Sequence, residues 1–321
     1  MNFLMTNDVE ETSITGNELN RHAAQKVSEK GLPSVLDLYS KYDIESTFYF
    51  TGTFASTYPK SVELVHESGH EVGCHGYSHL WNHSFDVLPI NSQYAHLNKA
   101  KSIIEQNIGS IEAFRAPALR IGNQTPRVLE ELGFRTDSSI SSQRFDGPLT
   151  SGAMKKLNWL FTPRHPYYMD INNPFKVGSS KILEIPVSAF VFGYQGSTMR
   201  AAPKLNSLIG NFLFSESKRK KTPVVFLHHP NEVIDEKLPN KYSRRSKSFF
   251  GHLFSDVLRR KFKLKNLGSS SLKLLESVLI VGNFTVRSLL AMIKPLILLT
   301  ALFFGCSIVQ KEGLREFKWK N

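Results

Sequence analysis

Short apolar segments alternate with helix-length amphipathic segments along most of this chain, and that alternation limits the possible folds. Short segments that we interpret as strands occupy 3–6, 44–52, 70–74, 111–117, 134–139, 182–187 and 223–230, and the segment 44–52 is rich in aromatic and β-branched residues. Helical patterns lie between them at 18–41, 58–69, 92–108 and 125–133. Because neighbouring parallel strands need a crossover, this order favours a parallel sheet. We expect an α/β fold, a distorted (β/α) barrel of about seven parallel strands with a C-terminal hydrophobic helix.

Polar side chains cluster where these strands end. In chain order they are Asp8 and Glu10, His75 and His79, Arg115, Asp137, and His229. The carboxyl ends of barrel strands form the rim where active sites lie, so we expect these residues to meet there. Taken alone, the two acids would equally suit a helix N-terminus, Arg115 a surface ion pair and Asp137 a turn.

Within segment 67–79, His75 and His79 lie four residues apart, at the end of a strand and beside glycines. Catalytic metal sites usually take three protein ligands and keep one position for water. Two histidines would therefore need one carboxylate from elsewhere, and Asp8 and Glu10 are the candidates. Eleven histidines make chance pairs common, so ordinary loop histidines are the alternative interpretation.

The net charge of +12 is carried by the C-terminal quarter of the chain. Residues 241–321 contain 16 of the 40 basic and only 4 of the 28 acidic residues. This pattern indicates a neutral catalytic domain with a basic tail, and we expect no nucleic-acid partner; a basic scaffold built on 241–270 is the weaker alternative. The two cysteines, Cys74 and Cys306, lie far apart, which favours a reducing compartment without a disulfide framework. The first residues show no secretory signal pattern.

An apolar run from Leu289 to Val309 is interrupted only by Lys294. As a helix it would be about 31 Å long, enough to cross a bilayer core. We therefore expect a catalytic domain at 1–293 and a membrane-associated helix with a basic tail at 294–321, placing the protein on the cytoplasmic side of a membrane. A re-entrant or interfacial helix, a buried core helix and a soluble cytoplasmic protein are the alternatives.

Five segments together resemble the motifs of the polysaccharide deacetylase family, carbohydrate esterase family 4, with its chitooligosaccharide-deacetylase (NodB-like) homology domain. They are, in the family's order, Thr6–Glu10, Gly69–His79, Phe114–Pro117, Thr136–Ser139 and Leu227–His229. The likeness extends over roughly 1–293, is strongest in the second segment and is weak over 141–222. The first segment departs from the common form, which has two adjacent aspartates, because this chain has Asp8-Val9-Glu10.

The resemblance implies a role for each residue. Glu10, His75 and His79 would hold a divalent metal, Zn²⁺ first and Co²⁺, Ni²⁺ or Mn²⁺ as alternatives. Asp8 would be the general base, although the roles of the two acids could be exchanged. His229 would be the general acid, with His228 as its rival because adjacent strand residues face opposite sides. Arg115 would orient Asp8, and Asp137 would hold a cationic partner such as Arg115 or His229.

The family likeness implies a metal-dependent hydrolase that removes an N-acyl group, foremost acetyl, from an amino sugar of a poly-, oligo- or lipid-linked saccharide. The expected partners are that saccharide and, through the C-terminal helix, a membrane. The alternative is a non-catalytic, membrane-tethered carbohydrate-binding module on the same fold, with a degenerate metal site. A pure binding module has no need of a base and an acid beside the metal ligands, so the intact set favours an enzyme.

Overall fold

The computed structural model describes residues 3–16, 18–145, 153–236 and 259–282, together with the backbone path of 307–311 and 314–318. The strands in these ranges are β1 (Phe3–Val9), β2 (Thr12–Ser13), β3 (Glu18–Leu19), β4 (Ser46–Phe50), β5 (Glu71–Cys74), β6 (Ala113–Phe114), β7 (Thr136–Asp137), β8 (Tyr167–Asp170), β9 (Asn173–Val177), β10 (Leu183–Glu184), β11 (Ala189–Phe190), β12 (Phe192–Gly193), β13 (Val224–His228), β14 (Ser307–Lys311) and β15 (Leu314–Lys318).

The helices surround the main sheet. They are α1 (Arg21–Lys26), α2 (Leu32–Lys41), α3 (Gly52–Thr57), α4 (Pro59–Glu67), α5 (Ile90–Ile108), α6 (Thr125–Glu131), α7 (Gly196–Ala201), α8 (Pro203–Lys220), α9 (Arg259–Lys263) and α10 (Ser269–Gly282). A π-helical turn, Val27–Gly31, joins α1 to α2. Short 3₁₀ helices occur at Trp81–His83, Pro117–Leu119, Ala153–Phe161 and Pro230–Val233.

The main sheet has nine strands in the order β13-β1-β4-β5-β6-β7-β10-β8-β9. The pairs from β13 to β10 are parallel, whereas β8 pairs antiparallel with β10 and with β9. The prediction of an α/β fold with about seven parallel strands is therefore confirmed. The predicted strand at 111–117 is shorter, because Pro117 lacks an N–H to donate and opens a 3₁₀ helix.

The parallel part of the sheet curls, so that its two ends approach each other. Ser188, just after β10, donates its N–H to the carbonyl oxygen of Val225 in β13 at 3.1 Å. A small buried cluster fills the concave side of the curl, formed by Leu4, Tyr49, Ala113, Leu183, Ile185 and Val225. The curl brings the carboxyl ends of β1, β5, β6, β7 and β13 to one rim, as the sequence predicts.

A larger core packs between the convex side of the sheet and the helices. Tyr39 of α2 is fully buried there, and so is Leu275 of α10. Because Leu275, Val278 and Leu279 belong to this core, α10 packs on the same unit as the sheet.

The C-terminal prediction fares differently. Residues 283–306, which contain most of the predicted membrane helix, lie outside the described residues. Ser307–Val309, the end of the predicted helix, is instead extended and pairs antiparallel with Glu316–Lys318, so the predicted helix is wrong at its C-terminal end. Ile308 and Val309 are β-branched, which favours extended backbone. Among the described helices, none has both the length and the apolar character to cross a bilayer.

Candidate active site

His75 is the first residue after β5, and its imidazole is almost fully buried. Its Nδ1 lies 2.8 Å from the backbone carbonyl oxygen of Arg115, which accepts a hydrogen bond only if Nδ1 is protonated. This contact makes Nε2 the nitrogen with the free lone pair. Nε2 is buried and makes no hydrogen bond, as expected of a nitrogen that awaits a metal ion.

Glu10 and His79 complete a possible metal triad with His75. Oε2 of Glu10 lies 2.9 Å from Nε2 of His79 and 3.9 Å from Nε2 of His75. One ligand atom from each of the three residues lies within 4.8 Å of the other two.

Burial and charge act against each other in this triad. Burial alone would raise the pKa of Glu10, but the adjacent His79 outweighs it and lowers that pKa to about 2. Burial lowers the pKa of His75, whose partners compensate only in part. Burial also acts to lower the pKa of His79, yet the Glu10 carboxylate raises it above the ordinary value. An ionised carboxylate beside two imidazoles is the state that a cation requires.

Asp8 lies on the other side of the triad and forms an ion pair with Arg115. Nη1 of Arg115 donates to Oδ1 of Asp8 at 2.9 Å, and the guanidinium also binds Thr6 and Ser138. The guanidinium is fully buried and stacks 4.4 Å from the centroid of the Tyr49 ring. Oδ2 of Asp8, in contrast, faces the site, 3.7 Å from Nε2 of His75. The predicted orientation of Asp8 by Arg115 thus matches the contacts.

The two histidines at the end of β13 face opposite ways. His229 reaches the rim with 27% of its side chain exposed, and its Nε2 lies 3.8 Å from Oδ2 of Asp8. His228 is fully buried beside Asn7, and burial lowers its pKa to about 4. His229 is therefore the one of the pair that can meet a substrate, which agrees with the preferred assignment.

Asp137 reaches the same end of the sheet but makes other contacts than the predicted ones. It accepts a hydrogen bond from Ser139 and lies beside Glu184, its register partner on β10. The Arg115 guanidinium donates its hydrogen bonds to Asp8, Thr6 and Ser138, so within the described residues it acts on Asp137 through its charge, which lowers the pKa of Asp137 and only partly offsets burial. Burial raises the pKa of Asp137 to about 7 and that of Glu184 well above the ordinary value.

Sequence reasoning missed two further residues at the rim. Glu232 lies three residues after His229 and contacts its imidazole, and Arg200 of α7 pairs with Glu232. The spacing of Glu232 from His229 is a signal that could have been noticed. Arg200 offers none, since it lies 32 positions before Glu232 in a weakly patterned region.

Comparison with known proteins agrees with this geometry. Residues 25–136 match the family model for polysaccharide deacetylase. The match covers less than half of the chain, and over that range the chain is similar to the polysaccharide deacetylase family. The matched range contains His75, His79 and Arg115, whereas Asp8, Glu10 and His229 lie outside it and join the site only through the fold.

Two curated proteins share local similarity with this chain. A peptidoglycan deacetylase of Helicobacter pylori is 29% identical over 118 residues, covering 36% of this chain and 39% of the relative. A peptidoglycan-N-acetylglucosamine deacetylase of Bacillus cereus is 30% identical over 105 residues, covering 32% of this chain and 47% of the relative. The chain thus spans less than half the length of these curated relatives.

The fold extends beyond the locally similar region. A crystal structure of a candidate polysaccharide deacetylase from Mycobacterium smegmatis covers 90% of this chain and 93% of its own, with a TM-score of 0.55. The two sequences are 16% identical, so the likeness concerns the fold.

Proposed function

We propose that this protein is a metal-dependent hydrolase that removes an N-acyl group, foremost acetyl, from an amino sugar of a saccharide. The observation that carries the proposal is the meeting of Asp8, Glu10, His75, His79 and His229 at one rim. The names of the two relatives, both peptidoglycan deacetylases, support an N-acetylated glycan as the substrate class.

Glu10, His75 and His79 would hold the metal ion in this proposal. The ion would polarise the acyl oxygen and lower the pKa of a water molecule towards about 7. The three side chains that would hold it lie beside Asp8, and the buried side of the site excludes bulk water, because His75 and Glu10 are nearly inaccessible there.

Asp8 and His229 would handle the protons. Oδ2 of Asp8 takes the proton from the attacking water while a bond forms between the water oxygen and the acyl carbon. The carbon–nitrogen bond then breaks, and Nε2 of His229 gives its proton to the departing amine nitrogen. The products are acetate and a free amino sugar. Although burial opposes it, the contact with Glu232 raises the pKa of His229 to about 9, so this histidine carries the required proton at neutral pH.

A non-catalytic carbohydrate-binding module would need neither a buried Arg115–Asp8 pair nor a protonated imidazole beside it. Burying a charged pair costs several kcal/mol of desolvation for each ion before its attraction is regained. The presence of both features therefore supports catalysis over binding alone.

The decisive experiment measures acetate release from N-acetylated chitooligosaccharides and from peptidoglycan fragments. Wild type should release acetate with added Zn²⁺, and a chelator should abolish the release. His75→Ala should be inactive, because it removes the metal-facing imidazole. His66→Ala is the matched control, since His66 is an exposed histidine on α4. Binding of the saccharides without any metal-dependent release would favour the binding module.

The location of the substrate is a separate proposal, which rests on the sequence alone. We propose that the basic residues of 241–321 bring the protein to an anionic, cytoplasmic membrane surface, close to a lipid-linked saccharide. Each such residue near the surface is worth about 1 kcal/mol of attraction. Flotation of the full chain with phosphatidylserine vesicles, compared with neutral vesicles at low and high salt, tests it; equal recovery with both would refute it.

A further inference from the structure

Glu232 is a buried carboxylate aimed at the imidazole of His229. Its Oε1 lies 3.3 Å from Nδ1 of His229, and its side chain is only 3% exposed. The backbone N–H of Glu232 also donates to the carbonyl oxygen of His229 at 2.9 Å, in the 3₁₀ helix Pro230–Val233. Backbone and side chain together fix Glu232 against the residue proposed as the acid.

Arg200 of α7 holds the other oxygen of this carboxylate. Its Nε donates to Oε2 of Glu232 at 2.9 Å, and the guanidinium is 2% exposed. Nη1 of Arg200 also donates to the carbonyl oxygens of Lys263 and Lys265, at 2.6 and 3.0 Å. The guanidinium is therefore fixed from both sides, which leaves the Glu232 carboxylate one preferred position.

The surrounding backbone leaves space for this pair. A side chain at Gly196, the first residue of α7, would overlap both oxygens of Glu232. The segment after α9 closes the other side, because Gly268 donates its N–H to the carbonyl oxygen of Glu232 and Asn266 donates to that of Arg200. Three parts of the chain, the turn that carries Glu232, α7 and the segment 263–268, thus fix Glu232 and Arg200 together.

We propose that Glu232, held by Arg200, is a positioning residue for His229, a role that rests on the proposed function. Accepting a hydrogen bond from Nδ1–H fixes the ring and leaves Nε2–H directed at Oδ2 of Asp8, where the departing amine would lie. The other ionisable groups near the ring are Asp8 and Glu10 across the rim, His79, and His228 on its own strand. Asp137 does not hold His229, because it is turned towards Glu184.

The alternative is a structural ion pair between Arg200 and Glu232 that stabilises the fold without affecting the chemistry. The two roles differ in their dependence on the leaving group. An amide needs a proton donor for its departing amine, whereas 4-nitrophenyl acetate releases a phenolate that leaves without one. If Glu232 positions His229, loss of Glu232 should therefore slow amide hydrolysis selectively.

The experiment compares wild type, Glu232→Gln, Arg200→Lys and Gly196→Ala on an N-acetylated chitooligosaccharide and on 4-nitrophenyl acetate. We expect Glu232→Gln to lower kcat on the saccharide about 10- to 100-fold, with KM within about twofold and the rate on the aryl ester within about threefold. Arg200→Lys and Gly196→Ala should show the same pattern with smaller losses. Glu236→Gln is the matched control, because Glu236 lies on the same loop but binds Ser13 and Thr15.

The pH dependence of kcat is a second readout, which can be used if the wild type hydrolyses the saccharide but not the ester. The high-pH limb of the kcat profile should move in Glu232→Gln from about 9 towards about 6.5, the value of an unperturbed histidine. Should Glu232→Gln fail to fold by circular dichroism, Arg200→Lys supplies both readouts.

Three results can be told apart. Equal loss on both substrates with an unmoved pH profile, or no loss at all, would overturn the positioning role while leaving the proposed function intact. Selective loss on the saccharide together with a shifted limb would support it. An inactive wild type would be a failure of the proposed function, and the positioning role would fall with it.

Discussion

Arg115 contributes to the site twice, through its backbone to His75 and through its side chain to Asp8. The carbonyl oxygen of Arg115 lies 2.8 Å from Nδ1 of His75, and Nη1 lies 2.9 Å from Oδ1 of Asp8. A substitution at this position removes only the second contact. The metal-facing imidazole and the proposed base can therefore be separated by experiment.

Arg115→Lys should impair catalysis and spare metal binding. One ammonium group cannot reach Asp8, Thr6 and both Ser138 acceptors, so Asp8 loses its fixed orientation. We expect kcat to fall about 10- to 100-fold. Zinc affinity by titration calorimetry should stay within about threefold, because the contact of His75 uses the backbone. A large loss of zinc affinity would show that the guanidinium supports the triad as well.

Asp8→Asn and Glu10→Gln distinguish the roles of the two acids. If Asp8 is the base, Asp8→Asn keeps the bound zinc and lowers kcat by roughly 10²- to 10⁴-fold. Glu10→Gln should lose zinc, because an amide oxygen is a far weaker ligand than a carboxylate. Metal content by atomic absorption and acetate release, measured on the same preparations, give the answer. The reverse pattern would assign the metal to Asp8 and the proton transfer to Glu10.

The activity of the wild type should extend to unusually high pH. Burial would lower the pKa of His229, but the hydrogen bond to Glu232 and the neighbouring acids raise it to about 9. An acid works only when protonated, so kcat should hold through pH 8 and fall by half near 9. Initial rates between pH 6 and 10 at saturating saccharide test this. A fall of kcat with its midpoint near pH 6.5 would show that His229 is not the proton donor.

The raised pKa of His229 also makes the stability of the fold depend on pH. A histidine whose folded pKa exceeds its unfolded value stabilises the fold fully below about 6.5, and this contribution is lost as the pH rises towards 9. The pKa values of Glu10 and Glu232 are both lowered to about 2. These carboxylates therefore stabilise the fold above about pH 4.5, and this contribution is lost as the pH falls towards 2.

The sequence predicted the rim because its signals are local. Asp8, Glu10, His75 and His79 directly follow apolar strands, and parallel strands bring such ends together whatever their order. The choice between His228 and His229 came from the family resemblance, because strand alternation shows only that the two side chains face opposite sides.

The contacts of Asp137 and Glu232 could not be predicted in this way. Asp137 lies beside Glu184 because β10 pairs with β7, and local sequence patterns do not predict the order of strands in a sheet. Arg200 and Glu232 form a buried pair across 32 residues, and neither periodicity nor spacing indicates a buried charge. The C-terminal apolar run shows the opposite limit, since hydropathy predicted a helix where Ser307–Val309 is extended.

Glu184→Gln should make the protein more stable at high pH. Burial raises the pKa of Glu184 well above its ordinary value, so the folded state keeps this group protonated beside Asp137 while the unfolded chain ionises it. That difference destabilises the fold increasingly above about pH 4.5. Glutamine keeps both an acceptor for the N–H of Ile140 and a donor towards Asp137.

Denaturant unfolding at pH 6 and pH 9 measures this effect. The gain in unfolding free energy should be larger at pH 9 than at pH 6. Glu216→Gln, on α8 and away from this pair, is the control. A variant that is equally destabilised at both pH values would show that the carboxyl group supports the fold in its ionised form.

Gly73→Ala should destabilise the protein and disturb the site through Tyr49. A Cβ at Gly73 would lie 2.7 Å from Cδ1 of Tyr49 and 2.9 Å from the carbonyl oxygen of Ala113, closer than real contacts allow. The Tyr49 ring cannot simply yield, because it is fully buried and stacks under the guanidinium of Arg115. We expect a loss of about 1–3 kcal/mol in unfolding free energy by denaturant titration. Gly69→Ala is the comparison, since nothing lies within 4 Å of its Cβ and its cost comes only from a φ of +82°. A kcat loss in Gly73→Ala but not in Gly69→Ala would show that the Tyr49–Arg115 stack transmits the strain to Asp8, whereas equal kcat values would confine Gly73 to packing.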